Sequence, residues 1–323
     1  MSIISRLNLR RLSKYSVMIV LLFLVVLFTL TSPYFLTLRN IQNIIMQNTY
    51  FIIVAVGLSF VMMGGGIDLS VGYQMSLVGV VTAMLMVVYH LPVWLAVGAG
   101  ILLGVVLGMV NGIIVSRIRM FPLIVTLATS VVFQGISYMV SQSRTYRVFP
   151  DEFLFLTQGK VLGMPFDIFL TLVIIILVSF IYYQTTFGLR VVALGGNEEA
   201  SRLAGINIRK MRITLYTICG FFTAIATMIM ISKANTTHSS FGPGTEFTAL
   251  TAAIIGGVSF MGGEGNIPAL VAGVFVLAVL GNGMQLAGWG IYPQFIVRGL
   301  ILLGGVAFDE YQKFARLSRQ KTK

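Results

Sequence analysis

Eight long stretches of this chain carry no Asp, Glu, Lys or Arg: 15–38, 40–67, 69–116, 120–143, 168–189, 213–232, 247–263 and 265–297. A bilayer's hydrocarbon core is about 30 Å thick and takes about 20 residues of apolar helix to cross. Inside it, backbone N–H and C=O groups have no water to bond, so a chain that stays there satisfies them within helices. The run 69–116 is about two crossings long and is broken by His90, Leu91 and Pro92, which predicts two helices. The run 265–297 is interrupted between Gly281 and Pro293 and likewise reads as two. The expectation is an all-α polytopic membrane protein of about ten transmembrane helices, one transmembrane domain over residues 1–323. Composition agrees: 57% hydrophobic and 10% charged residues, with a mean hydropathy of +0.93, against about a quarter charged in soluble domains. Residues 17–30 are followed by Thr31-Ser32-Pro33-Tyr34-Phe35 without a small-x-small cleavage pattern, so they read as the first span.

Ten crossings put both ends on one side, and the basic residues say which. One side collects Arg6, Arg10, Arg11, Lys14, Arg117, Arg119, Arg190, Arg202, Arg209, Lys210, Arg212, Lys313, Arg316, Arg319, Lys321 and Lys323. The other collects Arg39, Arg144, Arg147, Lys160 and Lys233. By the positive-inside rule the rich side, with both termini, is cytoplasmic. The net charge of +12 therefore speaks of orientation in a lipid membrane, and no basic–aromatic pattern for nucleic acid is present. Arg298 falls inside the last span, where a charge seeks a carboxylate or snorkels outward; Glu246 is the best-placed partner.

Glycine placement is the next constraint. Gly100, Gly104, Gly108 and Gly112 recur every four residues, leaving one face of the fourth span bare for close helix packing, a dimer seam or a pathway lining. Two further clusters break spans: Gly64-Gly65-Gly66-Ile67-Asp68-Leu69-Ser70-Val71-Gly72, and Gly256-Gly257 with Gly262-Gly263-Glu264-Gly265. Paired interruptions at membrane depth are tolerated where protein or a water-filled cavity satisfies the backbone, the pattern of a transport pathway. Gly65, Gly66, Asp68, Ser70, Gly262, Gly263 and Glu264 are the candidates for it, Asp68 reading either as pathway lining or as an N-cap restarting the third span near the interface.

The longest polar island on the cytoplasmic side spans residues 186–212. Asn197 is a good N-cap, Glu198 and Glu199 suit the positive end of a helix dipole, and Gly205 can adopt the left-handed cap conformation. The spacing predicts a helix of about two turns, with Ala200, Leu203 and Ala204 as a small apolar face flanked by Arg202 and the two glutamates. Such a helix either lies on its own protein or docks on a cytoplasmic partner.

Chemistry is sparse. No G-x-x-x-x-G-K-[ST] loop is present; Gly159-Lys160 continues with Val161, so the chain has no nucleotide-hydrolysing loop of that kind. His90 and His238 stand apart at spacings that suit no metal, the single Cys219 excludes an intrachain disulfide, and no span carries a file of acidic or histidine residues to relay protons. A catalytic residue and a metal site are thus not expected. A stand-alone secondary transporter or channel would need an ion site, and a membrane-embedded transferase a convergent acid–base or metal cluster. Residues 141–165 form a long, mixed-charge outer loop suited to an extracytoplasmic protein or to capping the bundle.

Ala193-Leu194-Gly195-Gly196-Asn197-Glu198-Glu199-Ala200 with Arg202-Leu203-Ala204-Gly205-Ile206-Asn207, and Gly65-Gly66-Ile67-Asp68-Leu69-Ser70-Val71-Gly72, resemble the ribose-type sugar permeases of bacterial ABC importers. The match is collinear from Ser32-Pro33-Tyr34-Phe35 to Tyr292-Pro293-Gln294. Thr248, Glu264 and Thr186 depart from residues common in such permeases. The resemblance implies a multi-pass permease of the inner membrane moving a ribose-like monosaccharide. It implies no cofactor of its own, ATP-Mg bound by a cytoplasmic ATPase, a second permease subunit and an extracytoplasmic sugar-binding protein. The helix from Asn197 to Gly205 would be the element that couples to the ATPase.

Overall fold

The computed structural model describes residues 9–118 and 120–321. Arg6, Arg119 and Lys323, which enter the charge pattern above, lie outside the described residues. Thirteen helices follow one another among the described residues: α1 (Leu9–Thr31), α2 (Leu38–Met63), α3 (Val71–Val87), α4 (Val93–Arg117), α5 (Pro122–Ser141), α6 (Asp151–Gln158), α7 (Phe166–Gln184), α8 (Thr186–Gly196), α9 (Glu198–Leu203), α10 (Ile208–Ala234), α11 (Thr245–Ile255), α12 (Ile267–Leu286) and α13 (Ile291–Lys321). Six of them, α2, α4, α5, α7, α10 and α12, are long and apolar enough to cross a membrane.

Burial sorts these six into two groups. The apolar windows of α2, α10 and α12 are 61–67% buried, those of α4, α5 and α7 only 28–33%, so the first three form the centre and the others wrap it. The exposed surface of the wrapping helices is apolar, for example Val131, Met139, Ile176 and Phe180, as a lipid-facing surface must be. The glycine row of α4 meets α10 directly. A methyl group on Gly104 would lie 2.6 Å from Ala224 Cβ, and one on Gly108 or Gly220 would overlap backbone of the facing helix. With little hydrophobic drive between helices in lipid, this backbone-to-backbone contact provides dispersion attraction at the closest approach two helices can make.

Several expected boundaries move. The interruption between α12 and α13 is residues 287–290, so Gly281 lies within α12 and Pro293 in the first turn of α13. The run 247–263 is helical only as far as Ile255; at 1.5 Å per residue α11 is about 16 Å long, half a membrane, and the glycine-rich remainder is not helical. The run 168–189 breaks at Thr185, whose hydroxyl accepts from Phe187 N (3.2 Å) and starts α8, so the run belongs to two helices rather than one.

At the opposite end the connections form a small cap. Strand β1 (Tyr146–Arg147) pairs antiparallel with β4 (Thr236–Thr237), and β2 (Lys160–Val161) with β3 (Met164–Pro165). Helix α6 seats Phe153, fully buried, on α10, and Ser232 Oγ donates to Phe153 O (3.1 Å). The loop 141–165 therefore caps the bundle, while Val148 and Leu162 remain 79% and 89% exposed. Cys219 is buried in α10.

Candidate functional site

Helix α2 ends because three consecutive glycines replace side chains that could continue its packing. Gly65 takes φ +78°, its N–H donating to Met62 O and that of Gly66 to Val61 O (both 2.9 Å), a Schellman cap. Helix α11 ends by the same bonds: Gly257 at φ +76° donates to Ile254 O and Val258 to Ala253 O (both 2.9 Å). The two interruptions are thus the same local structure used twice, each followed by an apolar helix, α3 or α12. Asn266 caps α12 by accepting from Ala269 N (2.9 Å), with Pro268 in its first turn.

These two breaks meet, and the island of residues 186–212 meets both. Gly263 N donates to Met63 O (2.9 Å). A methyl on Gly262 would sit 2.7 Å from Gly65 Cα and 3.1 Å from Gly195 Cα; one on Gly263 would sit 2.9 Å from Gly196 Cα. Gly262 and Gly263 also have φ of +86° and +81°. Three backbones therefore touch at one point, and a Cβ has no room at Gly195, Gly262 or Gly263. Tyrosines brace the junction: Tyr182 OH donates to Gly265 O (3.1 Å), Tyr183 OH accepts from Ile267 N (3.1 Å), and Tyr216 OH donates to Ile67 O (3.0 Å). The tyrosines had no signal in the sequence reading, because their partners are main-chain atoms of other segments.

The island continues from the junction without slack. Gly195 and Gly196 are the last residues of α8, whose Val191 and Leu194 are buried, and Asn197 follows as the N-cap of α9. Asn197 Oδ1 accepts from Ala200 N (2.9 Å). Glu199 pairs with Arg202 (2.6 Å), and Glu198 with Arg212 at the start of α10. At the other end Gly205, φ +83°, donates to Arg202 O (3.0 Å) and Ile206 to Ser201 O (3.0 Å), the Schellman cap again. Only Ser201 of α9 is buried; Ala200, Leu203 and Ala204 are exposed, Leu203 to 81%. The apolar face of α9 is thus turned away from the protein that carries it.

Asp68 departs from the expectation of a charge near the interface. It is completely buried, and the residue at the N-cap position of α3 is Ser70. Asp68 Oδ1 accepts from Ser70 N (2.9 Å) and Ser70 Oγ (2.6 Å); Gln74 Nε2 (2.7 Å) and Asn111 Nδ2 (2.7 Å) converge on Ser70 Oγ. The network ties the α2–α3 break to α4. Glu264 is exposed beside the junction, and the glycines of α4 face α10 rather than joining it. Among the described residues Glu246 forms no ion pair with Arg298; both its carboxylate oxygens accept from Gly244 N (3.0 and 2.9 Å).

A buried ion pair was missed by the sequence reading. Asp167, fully buried at the start of α7, accepts from Lys233 Nζ (2.9 Å) and Thr49 Oγ1 (3.2 Å). Both charges border charge-free runs at the same end of the bundle, and that was the available signal. Among the described residues no cluster of three or more His, Cys, Asp or Glu side chains is placed to hold a metal.

The family described as "Branched-chain amino acid transport system / permease component" matches residues 40–305. The chain is 34% identical over 303 residues to the L-arabinose transport system permease protein AraH of Escherichia coli (strain K12), covering 94% of this chain and 92% of that protein. It is 33% identical over 297 residues to the ribose import permease protein RbsC of Haemophilus influenzae (91% and 92%). It is 32% identical over 297 residues to the D-allose transport system permease protein AlsC of Escherichia coli (92% and 91%). No solved structure matches it. A bundle with paired glycine breaks, membrane-length helices and a family match over most of its length make this chain a multi-pass membrane protein that belongs to the Branched-chain amino acid transport system / permease component family.

Proposed function

We propose that the chain is the transmembrane permease subunit of a bacterial ABC importer for a simple sugar. It crosses the inner membrane ten times with both ends cytoplasmic, the eighth crossing made by α11 together with the glycine segment after it. Relatives named for L-arabinose, ribose and D-allose import, each aligned over more than nine-tenths of this chain, favour a monosaccharide over the amino acids of the family description. A second permease subunit and an extracytoplasmic sugar-binding protein complete the transporter, and the energy comes from ATP-Mg on cytoplasmic ATPase subunits.

The observation that carries the reading is the outward-turned apolar face of α9. A six-residue helix capped at both ends holds its shape, and a Leu exposed to 81% on it offers apolar area that a partner groove can bury, about 1.5–3 kcal/mol for a full leucine. The groove is that of the ATPase. Because α9 follows Gly195 and Gly196 directly, a push on it is delivered to the junction where both helix breaks meet, and alternating access follows as their flanking helices tilt.

Co-purification of the tagged, detergent-solubilised protein with its neighbouring ATPase, followed by assay of sugar-stimulated hydrolysis, tests this. Glu199→Arg and Gly205→Pro are expected to remain inserted while uptake falls at least tenfold. Proline cannot take φ +83° or donate the bond to Arg202 O. Wild-type uptake in both variants, or transport in liposomes without nucleotide, refutes it.

A further inference from the structure

At the end of the bundle opposite the glycine junction, α2, α10, α12 and α13 part around an open cavity of about 400 Å³. That size lies within the range of small-molecule sites, roughly 300–1,000 Å³. Its position along the helices is defined by α2, which reaches the cavity with Gln47 and Tyr50 and the junction with Met63. The separation along the helix axis is about 20 Å. Helix α12 makes the same journey, from Ile267 near the junction to Gln285 at the cavity.

The lining has a specific chemistry. Gln47, Gln285, Gln294 and Arg298 face the space, and their side chains hold no hydrogen bond to protein among the described residues. Arg298 makes no ion pair there either; a methyl on Gly281 would lie 3.2 Å from its Nη2, so the absence of a side chain on α12 is what gives the guanidinium room. Tyr50 and Phe241 supply aromatic faces. The remaining polar groups at the rim are already engaged: Lys233 with Asp167, Asn48 Nδ2 with Ile44 O (2.7 Å), and Asn282 in a reciprocal amide pair with Asn40 (both bonds 2.9 Å).

Gln294 and Arg298 are half-buried and Gln47 and Gln285 exposed, so all four present hydrogen-bonding groups to a molecule in the cavity. An amide offers a donor and an acceptor side by side, matching a hydroxyl, which is both; the guanidinium fork spans two adjacent hydroxyl oxygens. Aromatic faces pack against aliphatic C–H surface. An uncharged polyol with an apolar ring face satisfies all of these together. A carboxylate ligand would be drawn to Arg298 but leaves several donors and acceptors of the three glutamines unmatched.

We propose that this cavity is the outer transit site of the permease, where a monosaccharide released by the binding protein is held before the junction opens. The site rests on the sugar-import reading, and it adds the residues that recognise the cargo. Gln47 and Gln294 bond ring hydroxyls, Arg298 spans a vicinal pair, and Tyr50 covers the ring face. The helices that carry these groups also carry the junction's movement to them.

The test uses the full transporter in proteoliposomes with radiolabelled L-arabinose, D-ribose and D-allose. Gln47→Leu and Gln294→Leu are expected to reduce uptake of the transported sugar at least tenfold in a transporter that still co-purifies with its ATPase. A second measurement covers variants that fail to assemble. Because the chain's single Cys219 is buried, a thiol introduced as Gln294→Cys is the group that reacts with a membrane-impermeant maleimide, and saturating sugar is expected to slow that reaction. Wild-type import with unchanged uptake in both leucine variants, or a labelling rate indifferent to sugar, overturns the transit site while leaving the sugar importer intact. A wild-type transporter that imports none of the three sugars overturns both.

Discussion

A single methyl group placed at Gly262 puts the junction's energetics to a direct test. The residue sits at φ +86°, where an L side chain costs about 1–2 kcal/mol. Its Cβ would fall 2.7 Å from both Gly65 Cα and Gly65 N, and 3.1 Å from Gly195 Cα. Ordinary contact begins at 3.4 Å, so the α2 break must retreat by about 0.7 Å, and none of the close atoms belongs to a side chain that could rotate away. Overpacking of this kind costs about 1–3 kcal/mol. Gly262→Ala is therefore expected to lose about 2–5 kcal/mol, against a native stability of about 5–15 kcal/mol for typical domains. Gly196→Ala is the matched control: it neighbours the same junction, but a methyl there meets nothing within 4 Å. Thermal unfolding of the two purified variants in detergent, followed by uptake in proteoliposomes, reads the difference. Gly262→Ala should unfold several degrees below wild type and import poorly, with Gly196→Ala close to wild type in both. Equal stability and uptake for the two would show that the three backbones do not bear on one another as described.

Two further perturbations probe the buried polar groups. Asp167→Asn leaves Lys233 without its counter-charge and is expected to lower stability by about 3 kcal/mol, at the low end for broken buried pairs because the lysine side chain is 24% exposed. Asp167→Leu combined with Lys233→Met should recover most of that in a thermal-shift measurement, and a double variant no better than the single refutes the pair. Asp68→Asn keeps an oxygen to accept from Ser70 and should change stability by under about 1 kcal/mol, whereas Asp68→Leu strands Ser70 and should cost about 1–3 kcal/mol. Equal damage from both, in the same unfolding assay, would mean that the charge of Asp68 is required rather than its hydrogen bonds.

The local features of the island were legible because they depend on neighbours in sequence. Asn197, Glu198 and Gly205 announce a helix whose capping bonds each span only three to five residues, and the structure has α9 between them. The glycine interruptions were equally legible as breaks, since a run of Gly64, Gly65 and Gly66 cannot carry a helix on by packing. Helix α8 escaped notice because residues 186–189 continue the apolar pattern of α7, and the stop at Thr185 depends on a side-chain bond to Phe187 N. The partner of Arg298 was misjudged for a related reason: Glu246 is close to it in the topology, but the carboxylate is taken by the backbone of its own chain at Gly244.

By itself the sequence determined that this chain lives in a membrane, roughly where its helices begin and end, and which segments interrupt them. Burial of apolar length and the demands of backbone hydrogen bonding act locally and leave their period in the residues. Only the tertiary structure decided that residues 65, 195 and 262 touch, that Asp68 is enclosed by Ser70, Gln74 and Asn111, and that three unengaged glutamines and Arg298 surround one cavity. Those relations join segments far apart in the chain, set by which helices cross and where, and a spacing along one helix does not name the helix it meets.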